Sequence, residues 1–271
     1  MILSVHQNRI RRAFSQSAGH YEQLAGLQER LGQELMSCIP SRSFRRILDI
    51  GMGTGRLTDK LKRRWPGACV TGVDFASGMV QYAGRCYPDV RFIQADAAWL
   101  PFHPGSIDLA FSNLVYQWVD DLGQAFGRVH RILGPGGCFY LNIFTRGSLK
   151  ELLVTFEDLG QRRKGTGMIG IRRLPDFSRV ERAVAGAGFR VRARTRRTER
   201  VYFDNMIDLL RWLKGIGAQA APRDFFVGRD MIKEAEACYR MRFSAGHRIY
   251  VTFEVGTIIA PKDREVKEHD A

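Results

Sequence analysis

A glycine turn set between two short apolar runs constrains this chain more than any other feature. Ile47-Leu48-Asp49-Ile50 leads into Gly51-Met52-Gly53-Thr54-Gly55, and Val70-Thr71-Gly72-Val73 then ends on an acid, Asp74, nineteen residues beyond Gly55. The pattern predicts strand, turn, helix and second strand. Three glycines at alternate positions let the backbone turn sharply and come close to a ligand with no side chain in the way. A helix is predicted from near Arg56 through Leu57, Leu61 and Trp65, with its first amides facing the ligand. In a dinucleotide fingerprint the third glycine would fall where Arg56 stands. The segment reads as a nucleotide-type cofactor pocket of another kind; taken alone, the triplet is also compatible with a plain tight turn.

The elements that follow keep the same alternation. Val90 to Asp96 reads as a third strand and Ile107 to Asn113 as a fourth. A helix is predicted from about Asp120 to Leu133, with Leu122, Phe126, Val129 and Leu133 at helical spacing. Gly134-Pro135-Gly136-Gly137 is expected to stop it, and Cys138 to Phe144 to form a fifth strand. A sixth strand is expected from Phe189 to Phe203 and a seventh from Arg248 to Ala260. Between them Asp204 is expected to cap a helix through Met206, Leu209, Leu210 and Leu213, and a second helix is expected from about Asp230 to Phe243. Such alternation implies a mostly parallel sheet of seven strands with helices on both faces and a ligand at the carboxyl ends of the strands.

Length allows one domain with insertions. The division expected is an amino-terminal helical lid over 1–45, a cofactor-binding core over 46–145, a substrate region with the sixth strand over 146–203, a helical lid insertion over 204–247 and the last strand over 248–261. The lid helices have an alternative reading as cover for a sheet face. No apolar run approaches a membrane span and the amino terminus lacks the order of a signal peptide, so a cytoplasmic location is expected. The five cysteines are scattered and odd in number, which predicts free thiols and no zinc site. The histidines are dispersed, with His103 and His130 read as surface or turn residues.

The net charge of +14 is unevenly spread. Residues 161–200 carry 13 basic and 3 acidic side chains, whereas 201–271 carry 11 of each. Arg162-Arg163-Lys164, Arg172-Arg173 and the set Arg190, Arg192, Arg194, Arg196 and Arg197 predict a surface that attracts an anionic partner. Aromatics are sparse there, so single-stranded nucleic acid is not indicated. The arginines that alternate from Arg190 to Arg194 also fit a half-exposed edge strand without a partner.

The Gly-x-Gly-x-Gly turn with Asp49 before it and Asp74 after it resembles motif I and the second-strand acid of class I S-adenosylmethionine-dependent methyltransferases. The segments Phe14-x6-Tyr21-Glu22-x2-Ala25-x2-Gln28, Ser112-Asn113-Leu114-x2-Gln117-Trp118, Gly147-Ser148-Leu149-x-Glu151-Leu152 and Leu213-Lys214-Gly215-Ile216-Gly217-Ala218 narrow this. Together they resemble the malonyl-[acyl-carrier protein] O-methyltransferases of biotin synthesis, over nearly the whole chain. Met52 departs from the cysteine more usual there, and the arginine density is a second departure.

The resemblance implies a Rossmann-like α/β fold, S-adenosyl-L-methionine as cofactor and malonyl-loaded acyl carrier protein as partner. It implies that Gly51, Gly53 and Gly55 receive the methionine end, that Asp74 accepts from the ribose hydroxyls, and that Asp96 with Ala97 takes the adenine. Asn113 is placed to touch the cofactor near its methyl-bearing end. Tyr21, Gln117, Trp118 and Lys214 are candidates for positioning substrate, with packing as the other reading of Tyr21 and Trp118. No general base is required, because a carboxylate titrates near ~4 and is already ionised. The alternatives are a carbon methyltransferase of a quinone-like acceptor, which would want a His or Glu base, an RNA methyltransferase, or a scaffold that binds the cofactor without transferring a methyl group.

Overall fold

The computed structural model describes residues 5–162, 173–217 and 228–263. Its helices are α1 (Val5–Ser17), α2 (Tyr21–Leu24), α3 (Gly26–Ser37), α4 (Arg56–Arg64), α5 (Ser77–Cys86), α6 (Leu122–Ile132), α7 (Lys150–Arg162), α8 (Phe177–Gly186), α9 (Met206–Gly215) and α10 (Arg229–Arg242). The strands are β1 (Arg46–Ile50), β2 (Cys69–Asp74), β3 (Arg91–Gln94), β4 (Ile107–Asn113), β5 (Leu133–Phe144), β6 (Ala193–Phe203), β7 (Ser244–Ala245) and β8 (Arg248–Pro261). Seven run in the order β3-β2-β1-β4-β5-β8-β6, and the two-residue β7 pairs antiparallel with β8. The pairings of β1 with β2 and β4, of β2 with β3 and of β4 with β5 are parallel.

The side-chain period of two explains how one short strand serves two layers. Leu48 and Ile50 face a core shared with Leu122, Phe126 and Val129 of α6 and Val180 and Val184 of α8. Ile47 faces the opposite core, with Leu35 and Met36 of α3 and Leu61 of α4. Phe139 and Tyr140, adjacent in β5, divide in the same way. Buried on both sides, these strands read as nearly continuous apolar runs.

Several boundaries move for local reasons. The helical amino-terminal segment is broken at Ala25, which separates α2 from α3. Asn205, not Asp204, caps α9: its side chain accepts from the Asp208 amide at 2.9 Å, while Asp204 lies exposed and faces Arg248 at 3.3 Å. Gly134 to Gly137 lie within β5 and coincide with a register shift against β4, so they bulge the strand where they were expected to separate it from a helix. The third strand ends at Gln94, two residues short of Asp96, and the sixth begins at Ala193 rather than Phe189.

Contacts divide the chain into two compact units, one of residues 1–25, 144–175 and 197–255, the other of residues 26–143, 176–196 and 256–271. The second contains the glycine turn. Among the described residues no helix is long and apolar enough to cross a membrane, and no cluster of side chains suits a metal ion. All five cysteines are free thiols.

Candidate functional site

All three glycines of the turn have left-handed backbone: φ is +72° at Gly51, +56° at Gly53 and +83° at Gly55. The amides of Gly51 and Met52 both donate to the Val73 carbonyl, at 2.7 and 3.0 Å, which ties the turn to the end of β2. Close packing is a second reason for two of them. A Cβ at Gly51 would stand 2.0 Å from Val115 Cγ2, and one at Gly55 2.9 Å from the Ala83 Cβ. Gly53 differs, because a Cβ there would meet nothing within 4 Å. That is the side on which the backbone is open to a ligand.

Two buried carboxylates flank the turn. Asp49, in β1, accepts from the Thr58 hydroxyl at 2.7 Å and so fastens α4 to the sheet. Burial pushes its carboxyl up to about 7; the Thr58 hydrogen bond opposes the rise and the charge of Asp74 adds to it. Asp74 accepts from the Gly53 amide at 3.0 Å through Oδ2 and from the Ala76 amide at 2.9 Å through Oδ1. Burial raises it to about 6 against the pull of the Ala76, Gly53 and Phe75 amides. Each Asp74 oxygen has further acceptor capacity beyond these bonds, which suits a vicinal diol.

The remaining expected residues of this unit fall around the same strand ends. Asp96 closes a turn, with Oδ1 accepting from the Ala98 amide at 2.8 Å and its carbonyl from the Trp99 amide at 2.8 Å, and Ala97 lies within that turn. Asn113, the last residue of β4, donates to the Gln28 carbonyl at 2.8 Å and accepts from Asn142 at 3.1 Å, so its amide holds α3 and β5. Gln117 and Trp118 lie on a 3-10 turn (Tyr116–Trp118) ahead of α6. Gln117 is 4% exposed and donates to the Leu114 carbonyl at 2.7 Å, whereas Trp118 is half-buried. Leu114, between them and Asn113, has φ +61°, an unusual conformation for a branched residue.

Tyr21 and Lys214 belong to the other unit. Tyr21 opens α2, half-buried, with its ring 6.4 Å from that of Phe14. Lys214 is exposed near the end of α9. The glycines beside it are packing glycines: a Cβ on Gly215 would be 2.1 Å from Leu24 Cδ1, and Gly217, at φ +75°, is pressed against Phe14. Trp212 donates to the Leu24 carbonyl at 2.8 Å and completes this joint. The Gly147-Ser148 segment is likewise a clasp, with Thr145 donating to Glu254 at 2.6 Å and the buried Glu151 accepting from the Thr252 amide at 3.0 Å. Glu151 lay inside a quoted motif without a role, and Asn142, Thr252 and Glu254 gave no local signal. Their partners are about a hundred residues away in the chain. Arg163, Lys164, Arg172 and Ala218 lie outside the described residues.

Whether these residues fit an adenosyl cofactor can be judged from the polar atoms they leave over. Gln28 Oε1, Tyr116 Oη and Gln117 Oε1 are buried with no partner among the described residues. Burial, reinforced by the charge of Asp96, pushes the Tyr116 hydroxyl far above its usual range, so it stays protonated. Buried oxygens without a partner on Gln28, Tyr116 and Gln117, together with the spare acceptor capacity of Asp74, fit a polar ligand.

A family profile described as a methyltransferase domain matches residues 48–141. The chain is 34% identical over 217 residues to the biotin biosynthesis bifunctional protein BioHC of Cellvibrio japonicus, which covers 79% of this chain and 42% of that longer protein. It is 32% identical over 255 residues to the malonyl-[acyl-carrier protein] O-methyltransferase of Xylella fastidiosa, covering 91% of this chain and 84% of the relative. Among solved structures, the phosphoethanolamine N-methyltransferase 2 of Haemonchus contortus, in complex with phosphomonomethylethanolamine and S-adenosylhomocysteine, aligns with a TM-score of 0.59 at 20% identity, covering 97% of this chain and 61% of that one. That alignment shows the Rossmann-like methyltransferase fold. With identity above 30% over most of both chains in the Xylella fastidiosa protein, this chain belongs to the malonyl-[acyl-carrier protein] O-methyltransferase family.

Proposed function

We propose that this protein transfers a methyl group from S-adenosylmethionine to the free carboxylate of malonyl-[acyl-carrier protein], giving the methyl ester. The observation that carries the reading is the 32% identity to a relative of that name over 84% of its length. When bound, S-adenosylmethionine supplies an electrophilic methyl on a sulfonium, and a carboxylate lone pair forms the O–C bond as the C–S bond breaks toward sulfur.

The residues then have limited and definite tasks. A malonyl carboxylate is ionised at neutral pH, so no proton has to be removed and no His or Glu base is needed. Position and dryness supply the rate, with the oxygen held roughly 3 Å from the carbon it attacks and water kept away from it. Gly51, Gly53 and Gly55 admit the cofactor backbone-close, Asp74 accepts from its ribose, and Asp96 with Ala97 faces its adenine. Asp49 acts one step removed, through α4, and Asn113 through the helix it ties down. Tyr21, Gln117, Trp118 and Lys214 are assigned to the malonyl end.

The carrier protein is assigned to the arginines of β6. This strand ends the sheet, and Ala193 to Thr198 are exposed on both faces. Arg194 pairs with Glu181 at 2.9 Å and Arg197 with Glu199 at 3.1 Å. Such exposed pairs are weak and exchange readily for a partner's acids.

Labelled S-adenosylmethionine offered with malonyl-, succinyl- and acetyl-loaded carrier tests both statements. Base-stable label must fail to form and a hydrolysable methyl ester must form on the malonyl carrier; label on the acetyl carrier, or on none, excludes carboxyl methylation. In the same assay Arg194→Glu/Arg196→Glu/Arg197→Glu is expected to raise KM for the malonyl carrier about tenfold at low salt, with the gap closing as salt rises. A malonyl thioester of a short uncharged thiol should be spared. Equal loss on both substrates would remove β6 as the docking surface.

A further inference from the structure

Gln28 is 8% exposed, and its Oε1 has no hydrogen-bond partner among the described residues, although its backbone carbonyl is firmly held. That carbonyl accepts from Asn113 Nδ2 at 2.8 Å, and one turn on the Leu31 carbonyl accepts from Asn142 Nδ2 at 2.9 Å. These bonds fix the first turns of α3 to the carboxyl ends of β4 and β5. Glu29, the next residue, pairs with Arg56 at 3.1 Å and Lys60 at 2.7 Å, at the start of α4. Gln28 is therefore held between the end of β4 and the helix that issues from the glycine turn.

Strand order says which part of a ligand lies nearest. Asp96 follows β3, Asp74 ends β2, the glycine turn follows β1, and Gln28 is fastened to β4, its neighbour on the far side. A ligand laid across these ends with adenine at Asp96 and ribose at Asp74 carries its amino-acid end toward β4. The donors at that end are the three N–H bonds of an ammonium. We propose that Gln28 positions the cofactor by accepting a hydrogen bond at Oε1 from its α-ammonium group, which satisfies the buried oxygen.

The proposal rests on the methyltransferase reading, and calorimetry separates the two. S-adenosylhomocysteine and 5′-methylthioadenosine are titrated into the wild type, Gln28→Leu and Gln28→Met; the second ligand keeps the adenosine and sulfur but has no amino acid. Loss of a charge-assisted bond should weaken S-adenosylhomocysteine about 10- to 100-fold in both variants and leave 5′-methylthioadenosine within about twofold. Gln28→Glu keeps an acceptor and should hold S-adenosylhomocysteine near the wild-type affinity. Equal weakening of both ligands, as a packing defect would give, overturns the proposal, as does unchanged S-adenosylhomocysteine binding. A wild type that binds neither ligand removes the cofactor assignment itself.

Discussion

Gly51→Ala is expected to destabilise the protein by about 2–5 kcal/mol, from two separable causes. The left-handed φ of +72° costs an alanine about 1–2 kcal/mol. The new methyl would also stand 2.0 Å from Val115 Cγ2 and 2.7 Å from its Cγ1, an overlap that forces Val115 aside at about 1–3 kcal/mol. At about 2–4 °C per kcal/mol for a chain of this size, the melting temperature should fall by roughly 10 °C. Gly53→Ala, with φ +56° and nothing within 4 Å, bears only the first cost and should lose about 1–2 kcal/mol. Gly51→Ala/Val115→Ala should recover the steric share, so the two positions are non-additive. Denaturant titration of the set checks this. Equal losses at Gly51 and Gly53 would mean that Val115 yields freely and that only the backbone angle matters.

The contrast between these glycines marks what the sequence can and cannot reveal. The turn itself was legible because strand, glycines, helix and acid are consecutive, and each is dictated by local chemistry. Which glycine needs space and which merely needs φ depends on Val115, sixty-four residues on, and no periodicity carries that. The same holds for Asn113. Its place after the fourth strand was readable, but its amide is bound to the Gln28 carbonyl and to Asn142, partners set by tertiary packing. Helix ends failed for a subtler reason: Asp204 and Asn205 are both good caps, and the choice fell to the residue whose oxygen reaches the Asp208 amide. In the Leu213 to Gly217 string only Lys214 carries a substrate reading, and the two glycines beside it answer to Leu24 and Phe14, partners far off in the chain.

Asp74→Asn is expected to weaken S-adenosylhomocysteine at least 100-fold while leaving the unliganded protein as stable as the wild type, or more so, at pH 8. The wild-type carboxylate offers two charged oxygens to two ribose hydroxyls, each such bond contributing about 1.5–3 kcal/mol. An asparagine presents one acceptor and turns an NH2 toward the Gly53 or Ala76 amide, so one backbone bond is lost as well. The stability sign follows from linkage. With burial raising Asp74 to about 6 and Asp49 to about 7, the folded protein holds more protons than the unfolded chain between about pH 4 and those values. Unliganded stability should therefore be greatest below that window and fall as pH climbs through it. Binding runs the other way, because hydroxyl donors favour the ionised carboxylate. S-adenosylhomocysteine should tighten about tenfold from pH 5 to pH 7.5 in the wild type, the factor expected for a group ionising near 6. In Asp74→Asn that slope should vanish, leaving a smaller dependence near pH 7 that Asp49→Asn removes. Melting curves and calorimetry over pH 5–8 measure both. A wild-type affinity that is flat with pH, or an Asp74→Asn variant that binds normally, would show that the ribose is held by something other than the acid at the end of β2.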